Sequence, residues 1–209
     1  EQTLTQFTAN LSGDMFELPA GPMSFATGVE YRKYKGSYDP DPMTVAGEYN
    51  GVPSLPTEGE YDVNELYLEV NIPILKDSAW GKQMDVNIAG RYSDYSTFGG
   101  EFTPKIGLRW QLVDEFTIRA SYAEGFRAPS IGELFGTQSR FDQTISDPCS
   151  NDSTAPQNFN NNPTVKQNCI NAGVPAGGTY QQANPQISVL VGGNQNLKPE
   201  TSKSLVFGG

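Results

Sequence analysis

Histidine is absent from the 209 residues, and the only two cysteines are Cys149 and Cys169. Zinc sites in proteins are built largely from histidine and cysteine, and serine or cysteine nucleophiles are usually activated by a histidine, so the chain lacks the parts for both. There are 24 acidic residues, but no motif places two of them as a pair for glycoside chemistry. We therefore predict that the chain is not an enzyme and holds neither a metal ion nor a cofactor.

Positive charge is scarce as well. The 14 Lys and Arg residues against 24 Asp and Glu give a net charge of -10 and an isoelectric point near 4.4. Nucleic-acid binding needs clustered Lys and Arg to neutralise phosphates, so this balance argues against a nucleic-acid partner. No run of 18 apolar residues exists, which excludes a transmembrane helix. The mean hydropathy of -0.48 does not count against transmembrane strands, whose signal is weak in each segment.

What the sequence does contain is alternation of apolar with polar or small residues, which predicts strands with two unlike faces. The clearest run is 116–126. It has about the length that a tilted strand needs to cross a bilayer, roughly 9–11 residues. Only three residues separate it from the run at 102–112, so the two predict an antiparallel hairpin. Four earlier runs predict further strands at 3–13, 23–32, 66–74 and 85–93, and another run begins at Ser204.

Two sequence elements resemble a known family. The first consists of residues 104–110 (PKIGLRW), 117–130 (TIRASYAEGFRAPS) and 133–135 (ELF), and the second is residues 194–202 (NQNLKPETS). In this order they closely resemble the barrel of TonB-dependent outer-membrane receptors. The resemblance is strongest over residues 85–136 and 193–209, and elsewhere only the rhythm of strands and loops supports it.

The resemblance implies that residues 1–209 are a fragment of an antiparallel transmembrane β-barrel, all-β, with six strands and the start of a seventh. The family's plug domain is absent from this sequence. Barrels of this kind have short periplasmic turns and long outer loops. The long connections, at about 38–60 and 127–202, are therefore predicted to be extracellular. The short ones at 15–22, 75–83 and 113–115 are predicted to be periplasmic turns.

The same assignment gives each strand a lipid face and a lumen face. Ile118 and Leu108 are predicted to face lipid. Trp110 and Phe116 are expected near the periplasmic headgroups, and Tyr92 and Phe126 near the outer ones, where aromatic girdles occur. The residues predicted to line the lumen are Glu30, Arg32, Glu69, Arg91, Lys105, Arg109 and Arg119.

The connection at 127–202 carries two local signals. Ser130 is placed to cap a short helix over 131–135, with Glu133 completing a capping box and Gly136 ending it. Cys149 and Cys169 flank an Asn-rich tract, and in an exported protein we expect a disulfide between them rather than two free thiols. The Asn and Asp clusters could bind Ca²⁺, but they lack a regular ligand spacing and turn formation is the better interpretation.

The resemblance implies an outer-membrane receptor of a Gram-negative bacterium that binds a scarce nutrient, such as a siderophore, cobalamin or an oligosaccharide, and imports it with TonB-coupled energy. The implied partners are outer-membrane lipid, the nutrient, and the TonB complex through N-terminal segments absent here. Candidate ligand-contacting residues are Arg127, Phe135, Phe141, Phe159 and Tyr180. Two alternatives remain open: a passive diffusion porin, and a soluble carbohydrate-binding β-sandwich, because such sandwiches also contain alternating strands.

Overall fold

A computed structural model describes residues 1–48 and 54–209. Residues 49–53, which belong to the loop predicted at 38–60, lie outside the described residues. The elements are β1 (Gln2–Leu18), β2 (Gly21–Tyr38), α1 (Pro42–Ala46), β3 (Thr57–Ser78), β4 (Gly81–Tyr95), β5 (Gly99–Val113), β6 (Phe116–Arg127), α2 (Ile131–Phe135), β7 (Ser139–Thr144), α3 (Pro163–Asn171), β8 (Gln186–Val191) and β9 (Glu200–Gly208).

Seven strands form one antiparallel sheet in the order β1-β2-β3-β4-β5-β6-β9. Each strand pairs with its neighbour in sequence, except that β9 joins β6 after the long connection. The predicted fold class, six strands and the start of a seventh, is confirmed. The seventh strand begins at Glu200, four residues before the predicted start at Ser204.

The strands are longer than the alternation predicted, and the turns are correspondingly shorter. The turn predicted at 15–22 is the two residues between Leu18 and Gly21, and the one predicted at 75–83 lies between Ser78 and Gly81. At the short-turn end the cause is three breaks in register, listed here by strand: between Asp14 and Phe16 in β1, between Pro73 and Leu75 in β3, and between Gln111 and Val113 in β5. A β-bulge inserts one residue, which shifts the alternation by one and hides the rest of the strand from a period-two pattern.

The chain divides into two compact units. The sheet unit comprises residues 1–39, 56–137 and 193–209, and it contains the seven-stranded sheet and α2. The loop unit comprises residues 40–55 and 138–192, and it contains the two-stranded sheet of β7 and β8 with α1 and α3. None of the helices in the described part of the chain has the length and apolar character of a membrane span.

The register of the sheet separates two faces. The apolar face carries large side chains that are between 46% and 81% exposed, among them Leu66, Leu68, Ile88, Phe102, Ile106, Leu205 and Phe207. The opposite side, called the polar face below, carries all seven residues predicted to line the lumen. An exposed apolar surface that spans a whole sheet requires a partner, since folded soluble chains rarely leave one uncovered.

Candidate functional site

A charged network on the polar face is centred on Glu65, a buried carboxylate in the first half of β3. Glu65 accepts hydrogen bonds from Arg32 Nη2 at 2.6 Å, from Arg91 Nη1 at 3.0 Å and from the Ser93 hydroxyl at 2.5 Å. Ser93 is fully buried and Glu65 is 7% exposed. Glu30 approaches the same two guanidinium groups at 3.4 and 3.8 Å. Two carboxylates and two guanidinium groups thus balance one another, so the desolvated charge of Glu65 is compensated.

Five aromatic side chains form a continuous row near this network. Tyr34 and Tyr61 are direct cross-strand partners with ring centroids 5.0 Å apart, and Tyr61 lies 6.0 Å from Tyr95. Tyr95 then stacks on Phe98 at 4.6 Å and meets the edge of Phe126 at 5.8 Å. These five residues are called the aromatic row. Each ring is half-buried, so the row offers partly exposed π-faces to planar groups as well as packing its own strands together.

The prediction that Phe126 belongs to a girdle on the apolar face is wrong, because its ring packs against Tyr95 and Phe98 on the polar side. Pairing of β5 with β6 ends at Lys105 and Ala123, so the last residues of β6 are not held flat against β5. At the short-turn end, Trp110 does lie on the apolar face and donates from Nε1 to the Trp80 carbonyl at 3.0 Å.

Helix α2 forms as predicted. The Ser130 side chain accepts from the Glu133 N–H, and the Glu133 carboxylate accepts from the Ser130 N–H at 2.7 Å, which completes the capping box. Gly136 follows the helix and donates to the Gly132 carbonyl. The Phe135 ring lies directly over Gly59 of β3, where a Cβ atom would collide with it. Glycine at position 59 therefore lets α2 pack closely on the sheet.

Arg127 joins both ends of the long connection. It donates to Glu133 at 2.9 and 3.0 Å and to Glu200 at 2.7 and 3.2 Å. Hydrogen bonds from Arg127 and from the Ser130 backbone lower the pKa of Glu133 to about 2. Arg127 is the last residue of β6 and Glu200 is the first residue of β9. Their paired hydrogen bonds therefore fix the point where the connection leaves the sheet and the point where it returns.

Backbone hydrogen bonds also join the two ends of the long connection. Gly193 N–H donates to the Gly136 carbonyl at 2.6 Å, and Asn194 N–H donates to the Glu133 carbonyl at 2.8 Å. Residues 136 and 193 are therefore in direct contact, although the chain between them contains β7, α3 and β8. We call residues 127–137 with 193–200 the loop base.

Within the loop unit, the predicted disulfide is confirmed. Cys149 and Cys169 are bonded, with their Cα atoms 5.6 Å apart, and Cys169 lies in α3. The Phe159 ring is 4% exposed, and Lys166 Nζ lies 5.2 Å from its centroid. Asn162 caps α3 by accepting from the Thr164 and Val165 N–H groups, with Pro163 in the first turn. A small core and a cross-link thus hold a segment that has few apolar residues.

The Asn-rich tract is held by its own side chains. Asn158 donates to the Ser153 and Ala155 carbonyls and accepts from Asn160 N–H. Such contacts are those of turn formation. Elsewhere in the unit, Asp147 accepts from the Tyr180 hydroxyl at 3.0 Å, which raises the pKa of Tyr180. Among residues 1–48 and 54–209 no group of three or more His, Cys, Asp or Glu is arranged to hold a metal ion.

The predicted ligand-contacting residues are distributed over both units. Arg127 and Phe135 belong to the loop base, where one forms ion pairs and the other covers Gly59. Phe141, Phe159 and Tyr180 belong to the loop unit; Phe141 is 51% exposed, whereas Phe159 is buried. Their contact with a ligand stays a prediction, and so does the assignment of the seven charged residues on the polar face to a barrel lumen.

Sequence reasoning missed most of the aromatic row, namely Tyr34, Tyr61, Tyr95 and Phe98. The period-two pattern contained the signal, because Tyr34 stands two residues beyond Arg32 and Tyr95 two beyond Ser93. Residues two apart on a strand share a face. Extending each strand by one repeat would have placed both tyrosines beside the charged network.

Comparison with known proteins identifies a matching family. Residues 1–208 match the family model described as TonB dependent receptor-like, beta-barrel. Two proteins called heme/hemopexin utilization protein C resemble the chain. One, from Haemophilus influenzae strain 86-028NP, is 26% identical over 157 residues, covering 66% of this chain and 20% of that protein. The other, from Haemophilus influenzae, is 27% identical over 135 residues, covering 59% of this chain and 17% of that protein.

A solved structure has a similar fold. It is the crystal structure of the siderophore receptor PirA from Acinetobacter baumannii, with a TM-score of 0.57 at 18% sequence identity. The superposition covers 99% of this chain and 24% of that one. The chain therefore spans about a fifth of the length of the curated relatives and about a quarter of the solved receptor.

Proposed function

Because the chain belongs to the TonB-dependent receptor β-barrel family, we propose that it is part of the barrel wall of a Gram-negative outer-membrane receptor. The receptor binds a scarce nutrient from outside and imports it with energy delivered through the TonB complex. In this proposal the connections at 38–60 and 127–202 are extracellular, the apolar face contacts lipid, and the polar face lines the lumen. The family is one of transport receptors and not of enzymes.

The observation that carries the proposal is the contrast between the two faces of one sheet. Leu205 and Phe207 are 81% and 79% exposed on one side, while Glu65 and Ser93 are buried among arginines on the other. A soluble sandwich would cover the apolar side with a second sheet. A barrel in a membrane instead turns its apolar side to lipid and its polar side to water.

We propose that the nutrient is an iron-bearing ligand with planar aromatic groups, either a siderophore or haem. The names of the relatives, which concern haem and a siderophore, favour iron. The aromatic row favours planar groups, because half-exposed rings such as Tyr61 and Phe98 stack on them. Cobalamin and oligosaccharides remain in the panel of nutrients to be tested.

Energy dependence tests the proposal. Cells carrying the full-length receptor are given radiolabelled ferric siderophores, haem, cobalamin or an oligosaccharide, with and without a protonophore. We expect one nutrient to bind in both conditions but to accumulate only when the proton gradient and the TonB partner are intact. Accumulation that continues after the gradient has collapsed would reject the energised receptor and favour a passive porin.

A further inference from the structure

The aromatic row lies beside a line of carboxylates that crosses the sheet. Glu30 of β2 pairs with Glu65 of β3. Glu65 pairs with Ser93 of β4, which in turn pairs with Glu101 of β5. Directly paired residues share one face of a sheet, so all four side chains lie on the polar face. We call Glu30, Glu65 and Glu101 the acidic line. Tyr95 of the aromatic row stands two residues beyond Ser93 on the same face.

The negative charge of the acidic line exceeds the positive charge beside it. Arg32 lies within 3.4 Å of both Glu30 and Glu65, and Arg91 lies within 3.8 Å of both. The Glu101 carboxylate, which is half-buried, has no Lys or Arg nitrogen of the described residues within 4.0 Å. Three carboxylates therefore stand against two guanidinium groups, and the charge left over is negative.

The regions that lead to the aromatic row are acidic as well. At the loop base Arg127 is shared by Glu133 and Glu200, so one guanidinium group stands against two carboxylates. In the loop unit five acidic residues outnumber two basic ones; they are Asp41, Glu48, Asp142, Asp147 and Asp152 against Arg140 and Lys166. A surface with an excess of one charge attracts ligands of the opposite charge. The charge of both units therefore favours a cationic ligand over an anionic one.

Aromatic rings supply the second half of a site for a cation. The face of an aromatic ring is electron-rich and attracts positive groups. The polar face already makes such contacts with its own arginines. The Arg32 guanidinium lies 6.0 Å from the centroid of the Tyr34 ring, and the Arg91 guanidinium lies 5.3 Å from that of Tyr67. The same attraction acts on a cation that is brought by a ligand.

Room for a ligand lies between Glu101 and the rings. Gly99 is the cross-strand partner of Tyr95 and stands two residues before Glu101. A Cβ atom built on Gly99 would have no heavy atom within 4 Å apart from its chain neighbours. In the part of the chain that the structure describes, no Lys or Arg lies over the ring of Tyr95 or of Phe98. A ligand can therefore reach these rings and the Glu101 carboxylate together.

From this we infer that the aromatic row and Glu101 bind a cationic group of the nutrient, a protonated amine or a quaternary nitrogen attached to its planar aromatic part. The inference rests on the proposed function, because it takes the polar face as the side on which the nutrient binds. It narrows the nutrient to an iron chelate with positive charge at its periphery. Haem, whose two propionates are anionic, is then a poorer ligand than a siderophore that carries an amine.

Two iron porphyrins with the same planar core and opposite charges test the inference. Iron tetra(N-methylpyridyl)porphyrin carries peripheral cations, and iron tetra(sulfonatophenyl)porphyrin carries peripheral anions. Their dissociation constants for the purified full-length receptor are measured by titration of the porphyrin absorption band. We expect the cationic porphyrin to bind about tenfold more tightly than the anionic one. Equal affinity, tighter binding of the anionic porphyrin, or binding of neither would each overturn the inference.

Substitution of Glu101 locates the effect. Glu101→Gln keeps the size of the side chain and removes its charge, so it should reduce the preference for the cationic porphyrin several-fold. Glu115→Gln is the matched control, because Glu115 is an exposed carboxylate at the other end of the sheet, between β5 and β6. An unchanged preference in Glu101→Gln, or an equal loss in both variants, would contradict the assignment of Glu101.

The porphyrin measurement stands apart from the uptake test. Should Glu101→Gln fail to assemble, the preference of the unaltered receptor between the two porphyrins still decides. Binding to the purified receptor needs neither the proton gradient nor the TonB partner. The receptor can therefore pass the uptake test while this inference fails, and a preference for the cationic porphyrin can be found even if uptake proves to be passive.

Discussion

The sheet unit and the loop unit are held together in different ways. In the sheet, residues far apart in sequence pair across adjacent strands, as where Thr27 of β2 meets Leu68 of β3. In the loop unit, neighbouring residues bond to one another, as Asn158 does, and one disulfide closes the segment. Cooperative pairing makes the sheet insensitive to single loop residues, whereas the loop unit depends on a few local contacts. Mutations should therefore affect one unit without the other.

Removing the loop segment is expected to have the largest effect. Deleting residues 138–192 and joining Thr137 to Gly193 uses the contact between Gly136 and Gly193, so the new junction needs little rearrangement. Nutrient binding to whole cells should be lost, because the deletion removes Phe141, Phe159 and Tyr180, three of the five predicted ligand-contacting residues. The barrel should still insert, as shown by its heat-dependent migration on gels. Failure to insert would show that the sheet needs the loop unit. Retained binding would show that the nutrient binds outside residues 138–192.

A charge on the apolar face should damage the sheet alone. Ile106 lies on that face in the middle of β5, opposite Ile88 and Tyr122, whereas Ser121 lies on the polar face, where it pairs with Gly107. Ile106→Arg near the middle of the membrane should cost about 2–4 kcal/mol, the range for arginine on the lipid side of a barrel. Ser121→Arg is the matched control and should cost much less. Refolding titrations of the full-length protein into lipid measure both, and the reverse order would show that the two faces have been exchanged.

Loss of the disulfide should affect the loop unit alone. The double variant Cys149→Ser, Cys169→Ser removes a constraint worth roughly 3 kcal/mol in the loop-entropy model. Hydrogen exchange of peptides around Phe159 and α3 should become faster, while exchange in β4 and β5 should stay unchanged. Faster exchange in both units would contradict their independence. Alkylation of both cysteines without reductant in intact outer membranes would show that the bond is absent from the natural protein.

The smallest effect should follow from pH at the loop base. The folded pKa of Glu133 is about 2, below its ordinary value of 4.5. A depressed pKa stabilises the folded form above pH 4.5, and that contribution is lost as the pH falls from 4.5 through about 2. Protection of the amides of residues 130–136, corrected for intrinsic exchange rates, should decline over this range. Glu133→Gln should remove the decline, and an identical decline in that variant would exclude Glu133 as its cause.

Features that depend on contacts between residues close in sequence could be predicted with the exact residues involved. Ser130, Glu133 and Gly136 specify the ends of α2 because every contact that defines the helix lies within six residues. The same start signal was present at α3, where Asn162 precedes Pro163, but its polar composition gives no amphipathic pattern and the helix was missed. Helix α1 has an equivalent signal in Asp41 and Pro42.

Features that depend on long-range register were predicted only in part. Alternation placed the seven charged residues on one face, since each assignment needs only the parity of its own strand. It did not show that Glu65 is buried between two arginines, because that arrangement depends on which residues of β2, β3 and β4 lie side by side. Hairpin β7–β8 was missed for a related reason: its strands are only six residues long, and β7 contains a single apolar residue, Phe141, so the alternation is too short to recognise.

The contact between Gly136 and Gly193 has an evolutionary consequence. Where the two ends of an inserted segment meet, its length and composition can change without moving the strands that flank it, and lengthening a loop costs little additional closure entropy. We therefore expect that residues 138–192 can be exchanged as one segment between receptors that keep the same loop base. Under the proposed function, a lineage could acquire a new nutrient in one recombination event while the seven-stranded sheet stays the same.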